Sequence, residues 1–331
     1  MPGIFLISGA YETCSKYNRI INGEENRSNL MAKQIALALG GGGSKGNAHI
    51  GVLRILERAG IYIAAIAGTS AGGMVGALYA AGYSPDEIEE SLHQVDQDSL
   101  FHREPGEGPG MMGLLGVRHL YQEKLGTLTF DQLHIPFAVT ATDLDGGRSV
   151  HIHTGRVFDA VMATIAVPGV FPPAMWGGLT LVDGGVLDPV PVQLARSLAP
   201  WLPVAAVVLS PKLEEWDGPA NPRLLNTLPF LSTYVARLRI AQAFNIFLRS
   251  VDIAGAQMTE MRLQLDHPDV IIRPEVGQIG LLDRVNVHQV VELGEQAATA
   301  ALTDIERAVS WRGWLDRRTG WAVSRLNTGN G

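Results

Sequence analysis

The chain has 331 residues, 46% hydrophobic and 18% charged, a balance that fits a folded globular protein with a sizeable core and argues against a disordered one. A formal net charge of -7 argues against a nucleic-acid partner, which wants a basic face, and the lone Cys14 cannot form an internal disulfide, which fits a reducing, cytoplasmic setting. No apolar run approaches the ~20 residues of a membrane span, and no Lys or Arg precedes Lys16, unlike the start of a secretory leader.

Residues 1–32 have no regular period and read as a loose N-terminal extension. From Lys33 the rhythm changes. QIALALG is a short β-type run, NAHIGVLRILERAG places its apolar residues at helical spacing before a glycine stop, and IYIAAIAGTS is a second strand run. AGGMVGALYAAGY and SPDEIEESLHQV read as helices, the second with Ser84 as N-cap, Pro85 at N1 and Glu87 at N3. PFAVTATDL and RSVHIHTG are strand-like and flank Asp145-Gly146-Gly147, which suits a tight turn. A helix over VFDAVMATIA, a Pro-rich loop VPGVFPPAMWGG, a strand LTLV, a helix PVQLARSLA and a buried strand VAAVVLS follow. Alternating strands and helices predict an α/β fold with a mainly parallel sheet, one domain over 33–310 with a helical insertion at about 221–262, and a Trp/Arg-rich tail over 311–331.

Two glycine motifs carry the chemistry. The first strand runs into Gly40-Gly41-Gly42-Gly43-Ser44-Lys45-Gly46, which contains G-x-G-x-x-G. A dinucleotide site would need an acid at the end of the second strand to hold the ribose, and none is there; a P-loop would need Ser or Thr after Lys45. What stands after the second strand is Gly68-Thr69-Ser70-Ala71-Gly72, a nucleophile elbow, in which Gly68 and Gly72 make room for a sharp turn exposing the serine oxygen. Beside such a serine, a polyglycine turn entering a helix reads as an oxyanion hole, with Gly42 and Gly43 as amide donors and Gly41 in support. Lys45 either adds positive potential there or is a solvent-exposed residue of the first helical turn.

The chain resembles the patatin-like phospholipase family, in the bacterial form akin to the neuropathy-target-esterase catalytic domain. The resemblance rests on G-G-G-x-[KR]-G at Gly41 to Gly46, the elbow at Gly68 to Gly72, and D-G-[GA] at Asp183-Gly184-Gly185, linked by ATDLDGG, MATIAVPGVFPP and LVDGGVLDPVPV. It spans about Lys33 to Leu198. Two positions depart from the family pattern: Gly40 is an additional glycine, and Asp188 stands where an asparagine often occurs. The resemblance implies a three-layer fold with helices flanking the sheet, and a Ser-Asp dyad without metal or cofactor. Ser70 attacks an ester carbonyl of a phospholipid or lysophospholipid, Asp183 takes its proton, and Gly184 supports the aspartate turn. The alternative is a non-catalytic lipid-binding or regulatory protein on the same fold.

Other residues compete for these roles. His49 follows the glycine loop as a rival base, though packing or hydrogen bonding explains it better. His151 and His153 share a strand face and mimic a metal pair, but no Cys or acid at suitable spacing completes it, so surface histidines are expected. Asp145 repeats the Asp-Gly-Gly of Asp183, but a hairpin turn accounts for it. Pro219 to Val251 carries Arg223, Arg237, Arg239 and Arg249 and no acid among apolar residues, which leaves peripheral membrane contact open; the oligomeric state has no signal.

Overall fold

The computed structural model describes residues 33–94, 99–212, 232–310 and 313. In chain order its strands are β1 (Gln34–Leu39), β2 (Tyr62–Gly68), β3 (Phe137–Asp143), β4 (Arg148–Ile152), β5 (Ala174–Trp176), β6 (Leu179–Asp183), β7 (Val204–Val207) and β8 (Val270–Ile272). Its helices are α1 (Ala48–Arg58), α2 (Ala71–Ala80), α3 (Pro85–His93), α4 (Leu115–Leu125), α5 (Val157–Thr164), α6 (Val192–Leu198), α7 (Ser232–Asp266) and α8 (Val287–Val309). All eight strands join one sheet, linked in the order β5-β6-β3-β2-β1-β7-β8 with β4 also on β3. The run β3-β2-β1-β7-β8 is parallel, while β4, β5 and β6 pair antiparallel, so the sheet is mainly parallel as expected.

β1 shows how the sequence builds the layers. In QIALAL, Ile35, Leu37 and Leu39 point into the larger core beneath α1, α2 and α8, while Ala36 and Ala38 point into a second core with Val192, Leu194 and Leu263. A strand buried on both faces needs a helix on each side, and the alternation of large and small side chains lets α6 and α7 pack close on the alanine face. Ser84 caps α3 as the sequence predicts: its hydroxyl accepts from the Glu87 amide at 3.3 Å while the Glu87 carboxylate accepts from the Ser84 amide at 2.8 Å.

Three expectations change. The Pro-rich loop contains a short strand, β5, which closes a hairpin with β6. The β3–β4 turn is organised by Asp143, not by Asp145: the Asp143 carboxylate accepts from the amides of Asp145 (3.2 Å) and Gly146 (3.0 Å) and from Arg148 Nε (3.0 Å). The segment read as an insertion contributes α7, which joins the parallel neighbours β7 and β8 and so forms their crossover. Residues 1–32, Arg223 and the tail beyond Gly313 lie outside the described residues, as do the side chains of Arg237 and Arg239.

Candidate active site

The elbow forms as its glycines require. Ser70 sits between β2 and α2 with φ 53 and ψ −122, one of two non-glycine residues with positive φ among the described residues. Strain of this kind costs about 1–3 kcal/mol and persists only where the surroundings hold it. Here the Ser70 amide donates to Thr164 Oγ1 at 2.9 Å, and a Cβ at Gly72 would overlap the Leu39 carbonyl oxygen. At Gly68 a Cβ would come within 2.6 Å of the Gly73 backbone. Both elbow glycines are therefore set by the close approach of the turn to neighbouring backbone.

Asp183 reaches Ser70 through sheet register. β4 occupies one edge of β3 over Val139–Asp143, so β2, ending with Gly68 opposite Val139, and β6, ending with Asp183 opposite Ala141, share the other edge. The two strands run towards each other and their ends meet about two residues apart. Asp183 is buried, accepts from the Gly185 amide at 2.7 Å, and has its carboxyl pushed up to about 6 by burial, partly offset by hydrogen bonds from the Ser70 hydroxyl and that amide. A carboxylate near 6 is a better base at neutral pH than an ordinary one.

The glycine loop is held from both sides. The Gly40 amide donates to Val207, Gly41 to the Pro189 carbonyl at 2.9 Å, and Ser44 to the Leu281 carbonyl at 3.0 Å. The Gly41 amide is therefore engaged, and it is the amides of Gly42 and Gly43 that find no acceptor among the described residues. Gly43 has φ 57, and a Cβ there would overlap the Leu281 carbonyl oxygen.

Residues 37–196 match the family model described as patatin-like phospholipase, which takes in the elbow, the glycine loop and Asp183. Residues 37–196 are a patatin-like phospholipase domain. An NTE family protein of Mycobacterium tuberculosis is 38% identical over 161 residues, covering 48% of this chain and 44% of that one. A second NTE family protein of that species is 30% identical over 297 residues, covering 82% and 47%. Mouse patatin-like phospholipase domain-containing protein 6 is 30% identical over 181 residues, covering 51% and 13%. The chain thus spans less than half the length of these relatives. Among solved structures, VipD from Legionella pneumophila aligns over 82% of this chain and 67% of that one with a TM-score of 0.48 and 13% identity.

The patatin-like domain opens Ser70 onto a cavity of about 370 Å³. Met74, Leu114, Val117 and Phe171 are among its apolar walls, Gly43 reaches it from the loop, and Asn47, His102, Asp283 and Arg284 supply polar groups. Asp183 is buried and is not among the residues that line the cavity. Lys45 is buried and not solvent-exposed; its ammonium lies 3.9 Å from Asp252 of α7. His49 is buried with Nε2 at 2.8 Å from the Gly40 carbonyl, and burial pushes its imidazole down to about 4. It packs under the loop as a neutral ring, away from a base's position. His151 and His153 are exposed.

Sequence reading missed the residues that hold the elbow around Ser70. Thr164 takes the Ser70 amide, while the Thr69 hydroxyl donates to the Asp188 carbonyl at 2.8 Å and lies 2.7 Å from the Thr140 hydroxyl. A threonine inside the apolar runs PFAVTATDL and VFDAVMATIA was the available signal, because a fully buried hydroxyl needs a partner.

Proposed function

We propose that the chain is a serine lipid acyl hydrolase that cleaves carboxylic esters of phospholipids or lysophospholipids. What carries the reading is a strained, apolar-facing Ser70 in hydrogen-bonding reach of a buried Asp183, beside a loop with two unengaged amides. Asp183 takes the Ser70 proton as Oγ attacks the ester carbonyl, and the oxyanion is met by the amides of Gly42 and Gly43. Collapse expels the alcohol, which receives the proton from Asp183 and leaves an acyl-Ser70. Water, deprotonated by Asp183, then hydrolyses that acyl-enzyme and restores both residues. The apolar cavity takes an acyl chain and needs neither metal nor cofactor for these steps. The reading places the protein in the cytoplasm, meeting its substrate at a membrane surface as a peripheral protein; no described helix is long and apolar enough to cross one.

A fluorophosphonate probe tests the assignment. Mass spectrometry should find the adduct on Ser70, and Ser70→Ala should lose both labelling and ester turnover while keeping its circular dichroism spectrum. An adduct on Ser44, or lipid binding by the wild type with neither labelling nor turnover, would refute the mechanism.

A further inference from the structure

The longest helix of the fold touches both loops of the site by its charged side chains. Along α7, Ala256, Thr259, Leu263 and Asp266 are buried at helical spacing and face the sheet, while Ile246, Ile253, Met261 and Leu265 are exposed. Near the buried stripe, two side chains ten residues apart reach away from the helix. Asp252 lies 3.9 Å from Lys45 Nζ, in the glycine loop between Gly43 and Gly46. Arg262 Nη2 lies 3.4 Å from Asp188 Oδ1, five residues after Asp183, and its Nε lies 3.1 Å from Asp266. The inner partner of each pair is almost entirely buried, at 7% side-chain exposure for Lys45 and 3% for Asp188, so neither has water as a substitute for its counter-charge.

The Asp188 end is wired to the nucleophile. The carbonyl of Asp188 accepts from the Thr69 hydroxyl, one residue before Ser70; its amide donates to Gly184 at 2.8 Å; and the carbonyl of the next residue, Pro189, takes the Gly41 amide. A shift of Asp188 is therefore passed to the elbow, the aspartate turn and the oxyanion loop together. At the other end, Lys45 donates its amide to the Gly42 carbonyl at 3.2 Å, which makes it part of the turn presenting the free amides.

We propose that α7 is a strut for the active site: Arg262 and Asp252 are positioning residues that hold, through Asp188 and Lys45, the loops carrying Asp183 and the oxyanion amides. Neither side chain touches the reacting atoms. Their effect is on geometry, and a misplacement of about 1 Å at a reacting centre costs on the order of a hundredfold in rate. α7 also has an internal control, because Glu260 pairs with Arg273 at 2.7 Å, tying the helix to the segment after β8 and to neither catalytic loop.

The inference rests on the hydrolase reading, and the test separates the two. Steady-state kinetics on a water-soluble short-chain ester, with melting temperature checked for each variant, should show Arg262→Gln and Asp252→Asn each lowering kcat about tenfold with KM within about twofold. Arg262→Lys and Asp252→Glu keep the charges and should recover most of the rate. Arg262→Gln combined with Asp188→Asn, which replaces the ion pair by two amides, should return kcat to within about threefold of wild type. Glu260→Gln should lower the melting temperature and leave kcat unchanged. If either charge-removing variant fails to fold, the other decides. Wild-type kcat in Arg262→Gln or Asp252→Asn, a double variant no better than Arg262→Gln, or an equal loss in Glu260→Gln would overturn the strut. A wild type without ester turnover would instead overturn the hydrolase.

Discussion

At the scale of single residues, Asp183 carries opposed demands. Burial raises its carboxyl to about 6, which suits a base and destabilises the charged form. Between about pH 4 and 6 the folded state holds a proton that the unfolded chain has released, so this group's contribution to stability falls as pH rises through that window. Asp188, pushed up to about 6 chiefly by burial, acts in the same direction. Asp183→Asn should therefore lower kcat by on the order of a thousandfold while raising the melting temperature, more at pH 8 than at pH 4. A variant that keeps its activity, or loses stability at pH 8, would contradict the assignment. In the wild type kcat should climb as pH passes through about 6, where Asp183 becomes the carboxylate that can accept the serine proton. The second Asp-Gly-Gly separates from the first by the same means: Asp145→Asn should leave kcat and melting temperature unchanged, whereas Asp143→Ala, which removes the acceptor of the β3–β4 turn, should lower the melting temperature.

At the scale of elements, the proposed role of the glycine loop belongs to its backbone, not to side chains. Gly40, Gly41 and Ser44 are fastened to Val207, Pro189 and Leu281, and the amides of Gly42 and Gly43 between them have no acceptor among the described residues. Gly43→Ala places a methyl against the Leu281 carbonyl at φ 57, so the loop must move. Turnover should fall by about a hundredfold or more, because a displaced amide weakens binding of the oxyanion more than of the ester. An effect confined to KM would remove Gly43 from the oxyanion hole.

At the scale of the molecule, the sheet brings its functional groups to one line where β2 and β6 converge on β3, and two helical layers bury both of its faces. The exposed face of α7 extends this arrangement outward, since Ile246 (67% exposed) and Ile253 (46%) are apolar and flank Arg249. If substrate is met at a membrane, Ile246→Ser with Ile253→Ser should weaken sedimentation with anionic vesicles and slow hydrolysis of vesicle lipid, yet spare a water-soluble ester. Equal vesicle binding by the variant would leave that face as ordinary surface.

The sequence by itself determined the α/β alternation, the capping of α3, the elbow and the glycine loop. Each depends on backbone geometry that a few adjacent residues set: period-2 and period-3.6 patterning, a Ser-Pro-x-Glu start, and glycines where no Cβ fits. Its patatin-like signature also named Ser70 and Asp183. Only the tertiary structure decided which amides of the loop are unengaged, because the Gly41 acceptor is Pro189, a residue far along the chain. It alone decided that Lys45 is buried and that Asp143 organises the turn attributed to Asp145. It also turned a segment read as an insertion into the crossover helix bearing Asp252 and Arg262. The burial of Lys45 and the placing of Arg262 follow from charges that meet from distant parts of the sequence, and no local pattern encodes the partner of a buried charge.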